Sequence, residues 1–422
     1  MNDLSAYAAL TYQRCDELAE LSQDPTCMDR RYLSKEHQLA NHQVAKWMEQ
    51  AGMRVWQDAA GNQWGELKSA SPHAPTLVIG SHLDTVPNGG KYDGILGVLL
   101  PLSVLQYLYD TQQSLPFTLQ IVGFGDEEGT RFGATLLGSH AIAGTWQEDW
   151  ADLTDSDGIS LSQAMQDFGL DISRVNESIR HDINAFLEVH IEQGPVLEAQ
   201  DLAVGIVNAI AGARRFKCVV TGMAGHAGTV PMTMRQDALA GAAEMILAIE
   251  RSAKDFDVVA TVGKLSCLSG ATNVISGKTE FSIDIRSEND QQRDDAFSDI
   301  ASQLSDIATR RQLQLTVVQT HSASAVQCDA QLQSTLAKAI SDTHIVPYTL
   351  TSGAGHDTMA MAKICPVGML FMRCDKGISH HPAEAIEISD IEKTMQVLLH
   401  FFTEYEHSFH QKTVKCHDLN TN

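Results

Sequence analysis

Four short stretches of this chain carry imidazole and carboxylate groups close together. His82, Asp84 and Asp93 lie in GSHLDTVPNGGKYDG, residues 80–94; Asp126, Glu127 and Glu128 in GFGDEEG; His190 and Glu192 in HIEQG; His380 and His381 in GISHHPAE. Imidazole and carboxylate without thiolate suit Zn, Mn, Co or Ni, and scatter from His82 to His380 fits a site assembled by folding. A single strand-end histidine is ordinarily a hydrogen-bonded surface residue. Four such clusters together favour a metal centre.

Within that centre, Asp93 between glycine-rich segments is the candidate bridge, since one carboxylate can hold two cations about 3.5 Å apart. Asp84, two positions after His82, is expected to accept a hydrogen bond from the imidazole and orient it; the bland alternative is a turn cap. Glu127 and Glu128, adjacent on an extended segment, are expected to point to opposite sides. One could then bind metal while the other moves a proton, although a solvated acidic turn remains open. No HExxH helix, GxSxG elbow or GxxxxGK[ST] loop occurs, so these other chemistries lack a carrier.

Elements must place these groups. Strand-like TLVIGSHLDT, FTLQIVGFGDEEG and AFLEVHIEQG alternate with helix-like LSKEHQLANHQVAKWMEQAG and GVLLPLSVLQYLYD. That order predicts an α/β fold, a sheet covered by helices, with ligands gathered where strands end. From RRFKCVVTGMAGHAG to LQLTVVQTH the order becomes strand, helix, strand, strand, helix, strand. A compact βαββαβ insertion is expected over 211–325, dividing a first domain made of 1–210 and 326–422.

The chain has 422 residues, 43% of them apolar, and a formal charge of −23 from 30 basic and 53 acidic side chains. Such a charge repels phosphate backbones, so no nucleic-acid partner is expected. No basic leader with an apolar core opens the sequence and no long apolar run follows, so a soluble, cytoplasmic protein without a membrane partner is expected. Eight cysteines without a CxxC pair suggest ordinary reduced thiols.

Taken together, GSHLDTVPNGGKYDGILGV, DEEGTRFGATLLGS, HIEQGPVLE, GHAGTVPMTMRQDALAGAAE, TNVISG, DIRS, SGAGHDTMAMA and GISHHPAE resemble the M20 metallopeptidase-like amidohydrolases. The likeness is to the branch of allantoate amidohydrolases and N-carbamoyl-L-amino-acid hydrolases. It implies a di-metal, aminopeptidase-like catalytic domain with a ferredoxin-like lid and dimerisation domain. It further implies two divalent metals, manganese first and zinc second, on His82, Asp93, Glu128, His190 and His380, with Asp93 bridging. Glu127 would be the general base, leaving His381 the lesser ligand candidate and Glu192 a supporting residue.

The same resemblance assigns His226 to oxyanion stabilisation at a neighbouring subunit's site, hence a homodimer. Gln193, Asn273, Arg286 and Gly355 match substrate-contacting positions, with Arg286 offering its fork to the substrate carboxylate. His356 and Asp357 could equally be structural. The reaction implied is hydrolysis of the ureido C–N bond of allantoate, in purine degradation, with N-carbamoyl-L-amino acids or ureidoglycolate as the alternatives. Met372 and Asp375 depart from the commonest form of the last motif, which touches specificity rather than fold.

Overall fold

The structure is a computed structural model and describes residues 4–268 and 271–419, with side chains to residue 406. The chain forms two compact units, Met1–Asn208 with Cys328–Asn422, and Ala209–Gln327. In chain order the strands are β1 (Arg54–Gln57), β2 (Gln63–Leu67), β3 (Thr76–His82), β4 (Thr118–Phe124), β5 (Ala185–Ile191) and β6 (Val204–Ile210). There follow β7 (Gly212–Thr221), β8 (Gly225–His226), β9 (Val259–Thr261), β10 (Leu265–Cys267), β11 (Val274–Ile275), β12 (Lys278–Ser287) and β13 (Gln314–Ala323). The last three are β14 (Val326–Gln327), β15 (Thr349–Ser352) and β16 (Val367–Met372).

In the first unit the strand order is β1-β2-β4-β3-β5-β16-β6, with β15 also on β6. The central four are parallel: β3 pairs with β4 and with β5, and β5 with β16. Strands covered on both faces lose the alternating pattern and become continuous apolar runs. Accordingly every residue of β4, β5 and β16 is buried. The helix Ile95–Asp110 buries nearly all its residues, because it lies between this sheet and the outer helices Ser5–Ala19 and Ile388–Leu419. Gly97 lets it approach: a Cβ there would stand 2.1 Å from the Val189 carbonyl oxygen.

In the second unit, the order β13-β7-β12-β10, with β9 also on β12, is antiparallel throughout. Helices Ala238–Asp255 and Asp290–Arg310 cover it, with Phe216, Cys218, Val220, Ile283, Ile285, Ile300 and Leu304 in the core. This is the ferredoxin-like βαββαβ topology. A separate ribbon pairs β8 with β11, setting Val274 opposite His226. Where the chain crosses between units, Val326 and Gln327 pair with Ile210 and Ala209. Among the described residues no helix is long and apolar enough to cross a membrane.

Candidate metal centre

The parallel strands β4-β3-β5-β16 end side by side, and each leads into one of the acid-and-histidine stretches. His82 closes β3, where its Nδ1 faces the main-chain carbonyl of Asp84 at 2.9 Å. With that proton donated, Nε2 carries the lone pair and faces Asp93 Oδ1 at 3.6 Å. His190 on β5 repeats the arrangement: Nδ1 meets the Ile191 carbonyl at 2.8 Å, and Nε2 stands 3.1 Å from Asp93 Oδ1. Two acceptors then face each other with no proton between them, and His190 Nε2 is buried without a hydrogen-bond partner. A cation between them removes that conflict.

The other oxygen of Asp93 looks elsewhere. Oδ2 lies 3.1 Å from His380 Nε2 and accepts from Gln193 Nε2 at 2.9 Å and Ser379 Oγ at 2.8 Å. His380 Nε2 is also 3.5 Å from Glu128 Oε1. Ligand atoms therefore gather, within 4.8 Å of one another, as His82, Asp93 and His190; as Asp93, Glu128 and His380; and as His82, Glu127 and Glu128. Asp93 belongs to two of these groups, one oxygen toward each. The donor set of carboxylate and imidazole fits divalent Zn or Mn.

Electrostatics point the same way. Burial pushes the Glu127 carboxyl well above its ordinary value, with Glu128, Asp357 and Asp84 adding to the rise against His82. Glu128 is pushed up to about 7, by burial first and then by Asp93. For Asp93 burial again works upward, but the imidazoles of His190, His380 and His82 around its oxygens outweigh it and hold the carboxyl well below the usual range. So many buried acids in one pocket lack the positive charge that two divalent cations would bring.

Two expectations need correction. The carboxylate of Asp84 does not hold His82; its nearest oxygen is 3.7 Å from Nδ1, and the main-chain carbonyl takes that role. Instead it accepts the backbone N–H of Glu127 at 3.1 Å and of Glu128 at 3.2 Å. Glu127 and Glu128 do not point apart, because Asp126 takes a left-handed φ of 63° and the chain leaves β4 as a bend. Both therefore join His82 in one group. The fork of Arg286 is turned to Asp284, Nε to Oδ1 at 2.8 Å and Nη2 to Oδ2 at 2.9 Å.

Gln193, at a positive φ of 56°, reaches the cluster through its amide. Glu192 accepts the backbone N–H of Val196 and Leu197, capping the turn that follows rather than joining any ligand group. His381 is exposed and accepts the N–H of Ala383 at 3.1 Å. Gly355 sits in an open loop, where a Cβ would meet only Met359 at 3.6 Å. His356 packs edge-on to His190, 4.6 Å between centroids, and pairs with Ser352 Oγ at 2.8 Å. Asp357 is buried, which pushes its carboxyl well above the usual range.

His226, Asn273 and Arg286 lie in the second unit. The Asn273 carbonyl accepts the N–H of Ala227 at 2.9 Å, so Asn273 and His226 share the β8–β11 ribbon. Arg286 stands opposite Ala213, whereas the ribbon follows Thr221. The eight residue steps of β7 from Ala213 to Thr221 span about 26 Å at ~3.3 Å each.

Some residues at the site escaped the sequence reading. Glu188, two positions before His190 on the same face of β5, accepts from Ser81 Oγ at 2.8 Å and from Thr358 N and Oγ1 at 3.0 and 2.7 Å. An acid in the otherwise apolar run AFLEV, just before His190, was its signal. Glu384 accepts the backbone N–H of Tyr92 and Asp93. Arg30 is fully buried and donates Nε to the Leu83 carbonyl at 2.8 Å, bracing the end of β3.

Residues 78–404 match the family described as Peptidase family M20/M25/M40. The chain is 38% identical to an allantoate deiminase of Arabidopsis thaliana over 92% of its own length and 80% of the relative's. It is equally 38% identical to an N-carbamoyl-L-amino acid amidohydrolase of Geobacillus stearothermophilus, over 92% and 96%. A hydantoinase/carbamoylase family amidase from Burkholderia multivorans has a crystal structure similar to this one, with a TM-score of 0.89 at 29% identity over 94% of this chain and 97% of that one.

Proposed function

The chain belongs to peptidase family M20/M25/M40, and from that premise we propose that it is an allantoate amidohydrolase. It hydrolyses the ureido C–N bond and releases ureidoglycine, ammonia and carbon dioxide. The observation that carries the chemistry is the division of Asp93, with Oδ1 toward His82 and His190 and Oδ2 toward His380. His82, Asp93 and His190 would hold one divalent cation and Asp93, Glu128 and His380 the other, manganese in first place and zinc second. When bound, such a pair supplies an acidified water and a Lewis acid for the ureido oxygen.

The remaining work belongs to side chains. Glu127 takes the proton from water as the new C–O bond forms and gives it to the departing nitrogen, a shuttle to which its raised proton affinity is suited. Gln193, Asn273 and Gly355 border the substrate, Arg286 receives its carboxylate by sharing or displacing Asp284, and His226 stabilises the oxyanion. The strand length between Arg286 and the ribbon supports placing His226 and Asn273 at a partner's site, hence a homodimer.

A second reading has equal support from identity: N-carbamoyl-L-amino-acid hydrolase. The long matches GHAGTVPMTMRQDALAGAAE and FMRCDKGISHHPAE favour allantoate. Turnover of allantoate against N-carbamoyl amino acids, both with Mn²⁺ added, decides between them. A clear preference for the N-carbamoyl amino acids overturns the first reading.

A further inference from the structure

We propose that Glu384 is the positioning residue that fixes the bridging aspartate and ties its loop to the loop bearing His380. The proposal rests on the two-metal reading of the site. Glu384 Oε1 accepts two consecutive backbone N–H groups, Tyr92 at 2.8 Å and Asp93 at 3.1 Å. Its other oxygen, Oε2, lies 3.2 Å from Ser379 Oγ, and that hydroxyl is 2.8 Å from Asp93 Oδ2. One buried carboxylate thus holds Asp93 by its main chain and reaches its side chain through Ser379.

A serine has a single proton to give. Donated to Asp93, it competes with a cation for Oδ2; donated to Glu384, it leaves Gln193 Nε2 as the remaining donor to Oδ2 and frees a lone pair toward His380. Glu384 is the acceptor that permits the second state. It also joins parts of the chain far apart in sequence, since Ser379 and His380 follow β16 whereas Tyr92 and Asp93 follow β3. Among the described residues no group of metal-ligand atoms includes Glu384, so it acts through Asp93.

Gly90 shows that the space is reserved. A Cβ on Gly90 would stand 2.2 Å from Glu384 Cδ, 2.3 Å from Oε1 and 2.5 Å from Oε2. The obstacle is the end of a flexible side chain, so Gly90→Ala should push the Glu384 carboxylate off the loop while leaving the backbone able to fold. Two unrelated substitutions, Gly90→Ala and Glu384→Gln, therefore attack one interaction from opposite sides.

The test measures metal rather than turnover. Mn²⁺ affinity and stoichiometry are determined by chelator competition and dialysis, and the spin-coupled signal of a manganese pair by electron paramagnetic resonance. Parent, Glu384→Gln, Gly90→Ala and the double variant Gly90→Ala/Glu384→Gln are compared. Loss of a residue that orients a ligand typically lowers metal affinity about 10–100-fold. That loss is expected for each single variant, with a weakened pair signal, a metal-free thermal midpoint near the parent's, and a double variant no worse than the worse single.

Parent-like affinity in Glu384→Gln overturns the proposal, as do losses that multiply in the double variant. A lowered metal-free midpoint with unchanged affinity assigns Glu384 to fold stability alone and also overturns it. A parent that binds fewer than two cations refutes the two-metal reading instead.

Discussion

Asp84 serves two elements with two different groups: its carbonyl receives His82 Nδ1 at 2.9 Å, while its carboxylate receives the N–H of Glu127 at 3.1 Å. The residue thereby couples the end of β3 to the bend after β4. Because the second contact also includes Glu128 N at 3.2 Å, both acids are held by one buried acceptor.

Asp84→Asn separates the two tasks. The carbonyl contact to His82 survives, whereas an amide presents only one acceptor and sets an NH₂ against a backbone N–H. A fall in kcat of about 10–100-fold is expected, with His82 still binding and metal content near the parent's under excess Mn²⁺. Steady-state kinetics beside metal analysis checks it. An unchanged kcat removes the assigned role.

Gly94 makes a sharper demand. Its φ of 70° is left-handed, and a Cβ would lie 2.4 Å from both Cε1 and Nε2 of His82. Gly94→Ala should cost about 1–2 kcal/mol in backbone strain alone and displace His82 as well. Denaturant unfolding and retained Mn²⁺ after dialysis should fall together. Full metal retention would show that His82 is not held where the geometry puts it.

How far the sequence could be read depends on what each residue does. The stretches holding His82, Asp93, Glu127, Glu128, His190 and His380 are legible because imidazole and carboxylate side chains are themselves the signal and strand ends converge in an α/β sheet. The preference for Glu128 over Glu127 and for His380 over His381, by contrast, comes from the family resemblance alone. Asp84's carboxylate and Glu384 are not legible, since both act on backbone amides and leave no side-chain pattern. The turning of Glu127 toward Glu128 depends on the left-handed Asp126, which spacing does not reveal. In the second unit VVATVGKLSCL reads as one strand, but it breaks into β9 and β10, both lying along β12. Only tertiary pairing shows them to be a single interrupted edge.

His37 carries a prediction about acid stability. Burial, and then the nearby Arg30 charge, lower its folded pKa to about 3, against about 6.5 in the unfolded chain. Its Nδ1 accepts the N–H of Leu33 at 3.2 Å and its ring stacks on Phe168, so the folded state holds it neutral. Between those values only the unfolded chain takes up this proton, so stability falls with falling pH by about 1.4 kcal/mol per unit. His37→Asn keeps an acceptor for Leu33 and removes that slope. In metal-free protein the gap in unfolding free energy between parent and variant should narrow by about 2 kcal/mol from pH 7.5 to 5.0; parallel curves would exclude a buried neutral His37.

The separation of Arg286 from the ribbon can be tested by mixing two dead proteins. Arg286 lies opposite Ala213, and the ribbon holding His226 starts beyond Thr221, so within one chain the two sit at opposite ends of β7. If the site is shared, Glu127→Gln kills the site of its own chain and His226→Ala kills its partner's. A hybrid dimer then has one site lacking both residues and one site intact. Random exchange makes half the dimers hybrid, so about a quarter of the parent's specific activity should return on mixing. Each variant alone should show less than about a hundredth of the parent's kcat. Mixing without recovery, under conditions where subunit exchange is shown by a labelled chain, means that His226 serves its own chain or none.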